Sequence, residues 1–168
     1  EAAHRAASDQ ERVAWVDEND RPLGGVTRVE LRERRLIGRG TYILLFNSSG
    51  LLCVHRRTLS KALYPGYWDV AAGGMVLEGK DYRLSAEREL AEELGIVDAE
   101  LVEHAHFLYD APESRLWCMA YSASVLAQQR HRPNLSHTSS LHAMARRGIP
   151  SLQLRQAVAK PLHTSFLF

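Results

Sequence analysis

One short run constrains this chain more than any other: Arg88-Glu89-Leu90-Ala91-Glu92-Glu93-Leu94-Gly95-Ile96. On a helix, residues three and four apart are neighbours, so Glu89, Glu92 and Glu93 share one face. Three carboxylates crowded there repel one another unless something positive sits among them. A hard divalent cation with oxygen ligands, Mg2+ or Mn2+, meets that requirement. The plainer reading of such a run is a solvated helix face. The residues upstream weigh against it. Trp68-Asp69-Val70-Ala71-Ala72 reads as a short apolar strand, Gly73-Gly74 follows, and a loop leads into a helix from about Leu84 to Leu94. Ala86, Leu90 and Leu94 recur at helical spacing and form the inward stripe, while the glutamates look toward a cleft. Gly95 stops the helix as a C-terminal cap.

Gly74 to Ile96 resembles a Nudix box, G-x5-E-x7-R-E-U-x-E-E-x-G-U with U a bulky apolar residue. Gly74, Arg88, Glu89, Leu90, Glu92, Glu93, Gly95 and Ile96 fall in register, and Lys80 stands where the pattern has its first acid. So many fixed positions over a loop and a helix make a specific signal. The resemblance implies an α+β fold, a Nudix-like α/β/α sandwich with a mixed sheet. It implies hydrolysis, by water attack at phosphorus, of a nucleoside diphosphate linked to another moiety or a related organic diphosphate, with Mg2+ as cofactor and Mn2+ as its substitute. It implies metal ligation by the Gly74 carbonyl, Glu89, Glu92 and Glu93. It makes Glu89 the leading candidate to accept the water's proton and Arg88 the residue that orients the acids. Lys80 either neutralises part of the glutamate cluster and weakens metal binding, or points to solvent and changes little.

Outside the box, Leu52 to Lys61 and Tyr64-Pro65-Gly66-Tyr67-Trp68 resemble the isopentenyl-diphosphate isomerase branch and the YfcD-like hydrolases near it. Arg56, Arg57 and Lys61 suit a diphosphate, since clustered cations match that anion; a solvated basic loop is the equal alternative. The isomerase resemblance implies a cysteine before the glycine pair and a histidine soon after, but Ala72 and Gly73-Gly74 stand there. Hydrolase is therefore preferred. A catalytically weakened diphosphate-binding or regulatory protein is the competing reading, motivated by Lys80 and by the lack of a further glutamate in the acid-free C-terminal segment, where the resemblance implies one. His104 and His106 alternate on a strand and are expected on one side of it, as satisfied surface or core residues more often than as substrate contacts.

The 168 residues suit one domain, expected over 11–168 after a frayed segment at 1–10. No apolar run approaches the ~20 residues that span a bilayer. A net charge of +1 argues against a dedicated nucleic-acid binder. Cys53 and Cys118 lie in apolar stretches and read as free thiols, which fits a reducing, cytoplasmic setting. A small-molecule diphosphate is the expected partner, and a homodimer is allowed. All 20 acidic residues lie at or before Glu113, so 127–168 is an acid-free, basic segment. It reads either as an extension for an anionic partner or as sequence from a shifted frame, beyond a YfcD-like resemblance that spans roughly Arg12 to Leu126.

Local patterns predict a strand over Arg12 to Val16 and a turn at Glu18 to Pro22. They predict a helix over Val29 to Leu36 and a hairpin of Thr41 to Phe46 with Leu51 to Arg56 about Asn47-Ser48-Ser49-Gly50. A strand pair follows, Glu100 to Tyr109 and Arg115 to Leu126. Helices are expected at His142 to Arg147 and Gln153 to Ala159.

Overall fold

The computed structural model describes residues 7–56, 66, 68–125 and 141–143. The strands are β1 (Arg12–Val16), β2 (Pro22–Thr27), β3 (Ile37–Asn47), β4 (Cys53–Arg56), β5 (Trp68–Asp69), β6 (Leu101–Ala111), β7 (Ser114–Val125) and β8 (Leu141–Ala143). The helices are α1 (Arg28–Glu33) and α2 (Tyr82–Leu94). Five strands form the main sheet in the order β2-β1-β3-β7-β6. Its centre is a parallel pair, β3 with β7, in unbroken register from Ile37↔Arg115 to Asn47↔Val125. The other pairings are antiparallel, so the sheet is mixed.

Each face of the sheet has its own apolar cluster. On one face Ile43, Leu45, Tyr121 and Ala123 meet Ala86, Leu90 and Leu94 of α2. On the other, Val13, Val26 and Leu31 pack with Trp15, Met75 and Leu116 beneath α1. The sandwich follows from alternation along β3 and β7, whose successive side chains supply opposite faces. Burying a leucine such as Leu90 is worth about 1.5–3 kcal/mol, so the predicted stripe is what docks α2.

The ends of α2 are chemically specified. Asp81 caps it by accepting the Leu84 N–H at 2.8 Å, which moves the start two residues ahead of the expected Leu84. Gly95 takes the left-handed conformation (φ 66°), and the Ile96 N–H closes on the Leu90 carbonyl. For α1, the Thr27 side chain accepts the Glu30 N–H.

Between β5 and α2 the box loop runs as an irregular strand wedged into the sheet. It bonds β3 on one side (Val76 N–H to the Arg39 carbonyl) and β1 on the other (Ala14 N–H to the Val76 carbonyl). This wedge carries Gly74 to the middle of the sheet.

Several local expectations change. Pro22, expected to close the turn, instead opens strand β2 (Pro22–Thr27), which pairs with β1; a Cβ on Gly25 would overlap Glu78. The Asn47 turn forms, with its side chain accepting from Ser49 and Leu51. The returning strand does not stay with β3, however. After one bridge, Phe46↔Leu52, β4 leaves to form a separate sheet, β5-β4-β8. Residues 141–143 are strand β8, paired with β4, and so contradict a helix starting at His142. The rest of that helix and Gln153 to Ala159 lie outside the described residues. Within the segment expected to fray, residues 7–10 form a helical turn, and Asp9 pairs with Arg32 at 2.8 Å.

His104 and His106 do not share a side. A bulge in β6 sets Glu103 opposite Tyr121 but Ala105 opposite Ala120. The extra residue reverses the alternation beyond it. His104 therefore reaches Ser122 at 2.7 Å, while His106 lies over Trp117 on the α2 face, ring centroids 4.8 Å apart.

Candidate functional site

The wedge loop and α2 meet at Gly74 and Glu89. A Cβ on Gly74 would overlap the Glu89 carboxylate, so only glycine allows this approach. Glu89 is 6% exposed, one of few buried charged groups among the described residues. Arg88 serves it: Nη2 donates to Glu89 Oε1 at 2.5 Å and Nη1 to Glu92 Oε2 at 2.8 Å. Nη2 also lies 3.4 Å from the Met75 carbonyl. The arginine thus ties both carboxylates to the loop, as charge-assisted bonds in a partly buried setting can.

The three glutamates are not equivalent. Glu89 is buried, Glu93 half-buried and Glu92 exposed. Part of the positive charge their crowding demands comes from Arg88. Among the described residues no three His, Cys, Asp or Glu side chains converge as a ready cage. That arrangement is compatible with Mg2+, which keeps several waters and takes only one or two carboxylates. The donor set fits a hard cation: carboxylate oxygens beside the Gly74 carbonyl. That carbonyl accepts the Thr41 N–H at 2.9 Å and lies 3.4 Å from the Thr41 hydroxyl.

Lys80 lies in the turn before α2, its N–H bonded to the Leu77 carbonyl, and its side chain is exposed. Among the described residues it forms no ion pair with the glutamates. Of the basic trio, the Arg56 backbone sits in β4 opposite Trp68. Arg57 and Lys61 lie outside the described residues. Cys53 and Cys118 are free. Cys118 is buried in β7, and burial pushes its thiol up to about 12.

A second polar cluster at the start of α2 was not anticipated. Asp20 Oδ1 accepts Arg39 Nε at 2.6 Å, and the Asp20 carbonyl accepts Arg39 Nη2 at 2.6 Å. The Tyr82 hydroxyl donates to Oδ2 at 3.0 Å, and His106 Nε2 lies 2.9 Å from the same oxygen. The Arg39 guanidinium also covers the Tyr82 ring. Burial, then the Asp20 charge, raises the Tyr82 hydroxyl well above the usual phenol range. Asp20 had been read only as part of a turn. The overlooked signal is Gly38-Arg39-Gly40, an arginine within a buried strand, which must find a partner.

A sheet covered on both faces, with an acid-rich helix docked against a glycine loop, defines the Nudix class of fold. Residues 36–160 match the NUDIX domain, and the chain belongs to that family. The chain is 70% identical over 121 residues to "Uncharacterized Nudix hydrolase PA4841" of Pseudomonas aeruginosa, covering 72% of each. It is 35% identical over 120 residues to "Uncharacterized Nudix hydrolase YfcD" of Escherichia coli K12, covering 68% of this chain and 67% of the relative. The crystal structure of DR0079 from Deinococcus radiodurans superposes with a TM-score of 0.65 at 28% identity, over 89% of this chain and 91% of that one. Among the described residues no helix is long and apolar enough to cross a membrane.

Proposed function

We propose that the protein hydrolyses a nucleoside diphosphate linked to another moiety, or a related organic diphosphate, with Mg2+ or Mn2+. The observation that carries this reading is the contact of the Gly74 backbone with the buried Glu89 carboxylate, beside an arginine that holds Glu92 as well. The Gly74 carbonyl, Glu89, Glu92 and Glu93 would hold the cation. When bound, it supplies charge neutralisation at the diphosphate oxygens and a more acidic water. Glu89 accepts the proton of the attacking water. Arg88 fixes the carboxylates so that their geometry is set before substrate arrives. Arg56, Arg57 and Lys61 bind the diphosphate.

Lys80 is one of two reasons to consider a protein that binds diphosphates without turning them over; the acid-free C-terminal segment is the other. The exposure of Lys80, with no ion pair to the glutamates among the described residues, supports the hydrolase on that point. A panel of nucleoside diphosphate derivatives, assayed with Mg2+ and with Mn2+, tests the proposal. Turnover should vanish with a chelator and fall about tenfold or more in Glu92→Gln and Glu93→Gln. Tight binding across the panel with no turnover would establish the binding protein instead.

A further inference from the structure

We propose that Thr41 is a positioning residue for the cation site: its buried hydroxyl holds the Gly74 peptide so that the Gly74 carbonyl stays beside the Glu89 carboxylate. The proposal rests on the reading of Gly74 and Glu89 as ligands given above.

Thr41, Ser85 and Glu89 are the buried polar or charged residues among those described, and Thr41 is 2% exposed. The Ser85 hydroxyl is used within its own helix, donating to the Asp81 carbonyl at 2.8 Å. Glu89 is held by Arg88. The Thr41 hydroxyl faces Gly74: it lies 3.4 Å from the Gly74 carbonyl oxygen and 3.4 Å from the Gly74 nitrogen. A buried position in a central strand is most simply filled by valine, which has the same shape and no hydroxyl to desolvate. The hydroxyl therefore needs a use, and among the described residues its contacts are to Gly74.

The rest of the residue grips the same segment. The Thr41 N–H donates to the Gly74 carbonyl at 2.9 Å. Gly73 adopts φ +152°, and a Cβ there would strike the Thr41 carbonyl oxygen. The glycine pair is thus pressed against Thr41 on one side, and Gly74 meets Glu89 on the other. Both hydroxyl contacts are long, so each is weak alone. Their value is directional: with the main-chain bond, they hold both the N–H and the C=O of Gly74 and oppose rotation of its peptide planes.

Mn2+ titration of the full chain without substrate, followed by the paramagnetic signal of free Mn2+, separates this role from plain packing. Thr41→Val keeps shape and burial and removes the hydroxyl. It should weaken Mn2+ binding about tenfold, the scale for groups that orient a metal ligand, while thermal unfolding stays near that of the wild type. Thr41→Ser should restore most of the affinity. A valine variant that binds Mn2+ as tightly as the wild type overturns the role, as does a serine variant as weak as the valine one. A valine variant that does not fold is replaced by Thr41→Ala, to which the same outcomes apply. If the wild-type protein itself takes up no Mn2+, the reading of Gly74 and Glu89 as ligands falls and takes this role with it.

Discussion

Two arginine–carboxylate clusters touch α2, one at Glu89 and one at Asp20, and they differ in how the arginine is shared. Both central carboxylates are sheltered, with side-chain exposures of 8% for Glu89 and 12% for Asp20. At Asp20 one acid accepts from an arginine and a tyrosine hydroxyl, with a histidine ring nitrogen 2.9 Å away. At Glu89 one arginine serves two glutamates, with Glu93 on the same side of the helix. A carboxylate saturated by protein donors is a structural joint. The proposed cation site is the cluster in which carboxylates share one arginine beside a backbone carbonyl. Burial and an arginine partner occur at both, so neither feature alone marks the functional cluster.

Substitutions at the two clusters should therefore fail in different measurements. Glu89→Gln should lower kcat about 10³-fold, within the range for a group that takes a proton in the transition state, with little change in the unfolding midpoint. Asp20→Ala should do the reverse. It strands Arg39 in a site where both side chains are mostly buried, at a cost of about 3 kcal/mol in urea-unfolding free energy, while kcat at saturating Mg2+ changes little. Equal losses of activity and stability in both variants would collapse the distinction. Lys80→Glu sharpens it from outside: restoring the acid of the pattern at an exposed position should alter kcat/KM by no more than about fivefold, since an exposed charge is worth up to ~1 kcal/mol. A larger gain would place Lys80 within reach of the bound cation.

The box helix was legible because its signals are local. An N-cap, a stripe at helical spacing and a glycine C-cap act within a few residues of one another, and Tyr82–Leu94 follows from them. β2 and β8 were missed because their pairing partners decide them. Pro22–Thr27 looks like a turn until β1 lies beside it, and residues 141–143 become a strand through β4. The histidines show the same limit: one inserted residue in β6 reverses which face His106 takes, and nothing in the alternation of Glu103 to Phe107 announces it.

By itself the sequence determined the family, the helix that bears Glu89, Glu92 and Glu93, and the type of ligand those oxygens suit. It did so because helix geometry converts spacing directly into proximity. Only the tertiary structure decided which glutamate is buried, that Arg88 links two of them, and that Thr41, Gly74 and Glu89 lie against one another across three segments. It also decided that Asp20 and His106, distant along the chain, meet at the first residue of α2. Those contacts depend on where the box loop wedges between β1 and β3. That is a long-range packing outcome which no window of neighbouring residues encodes.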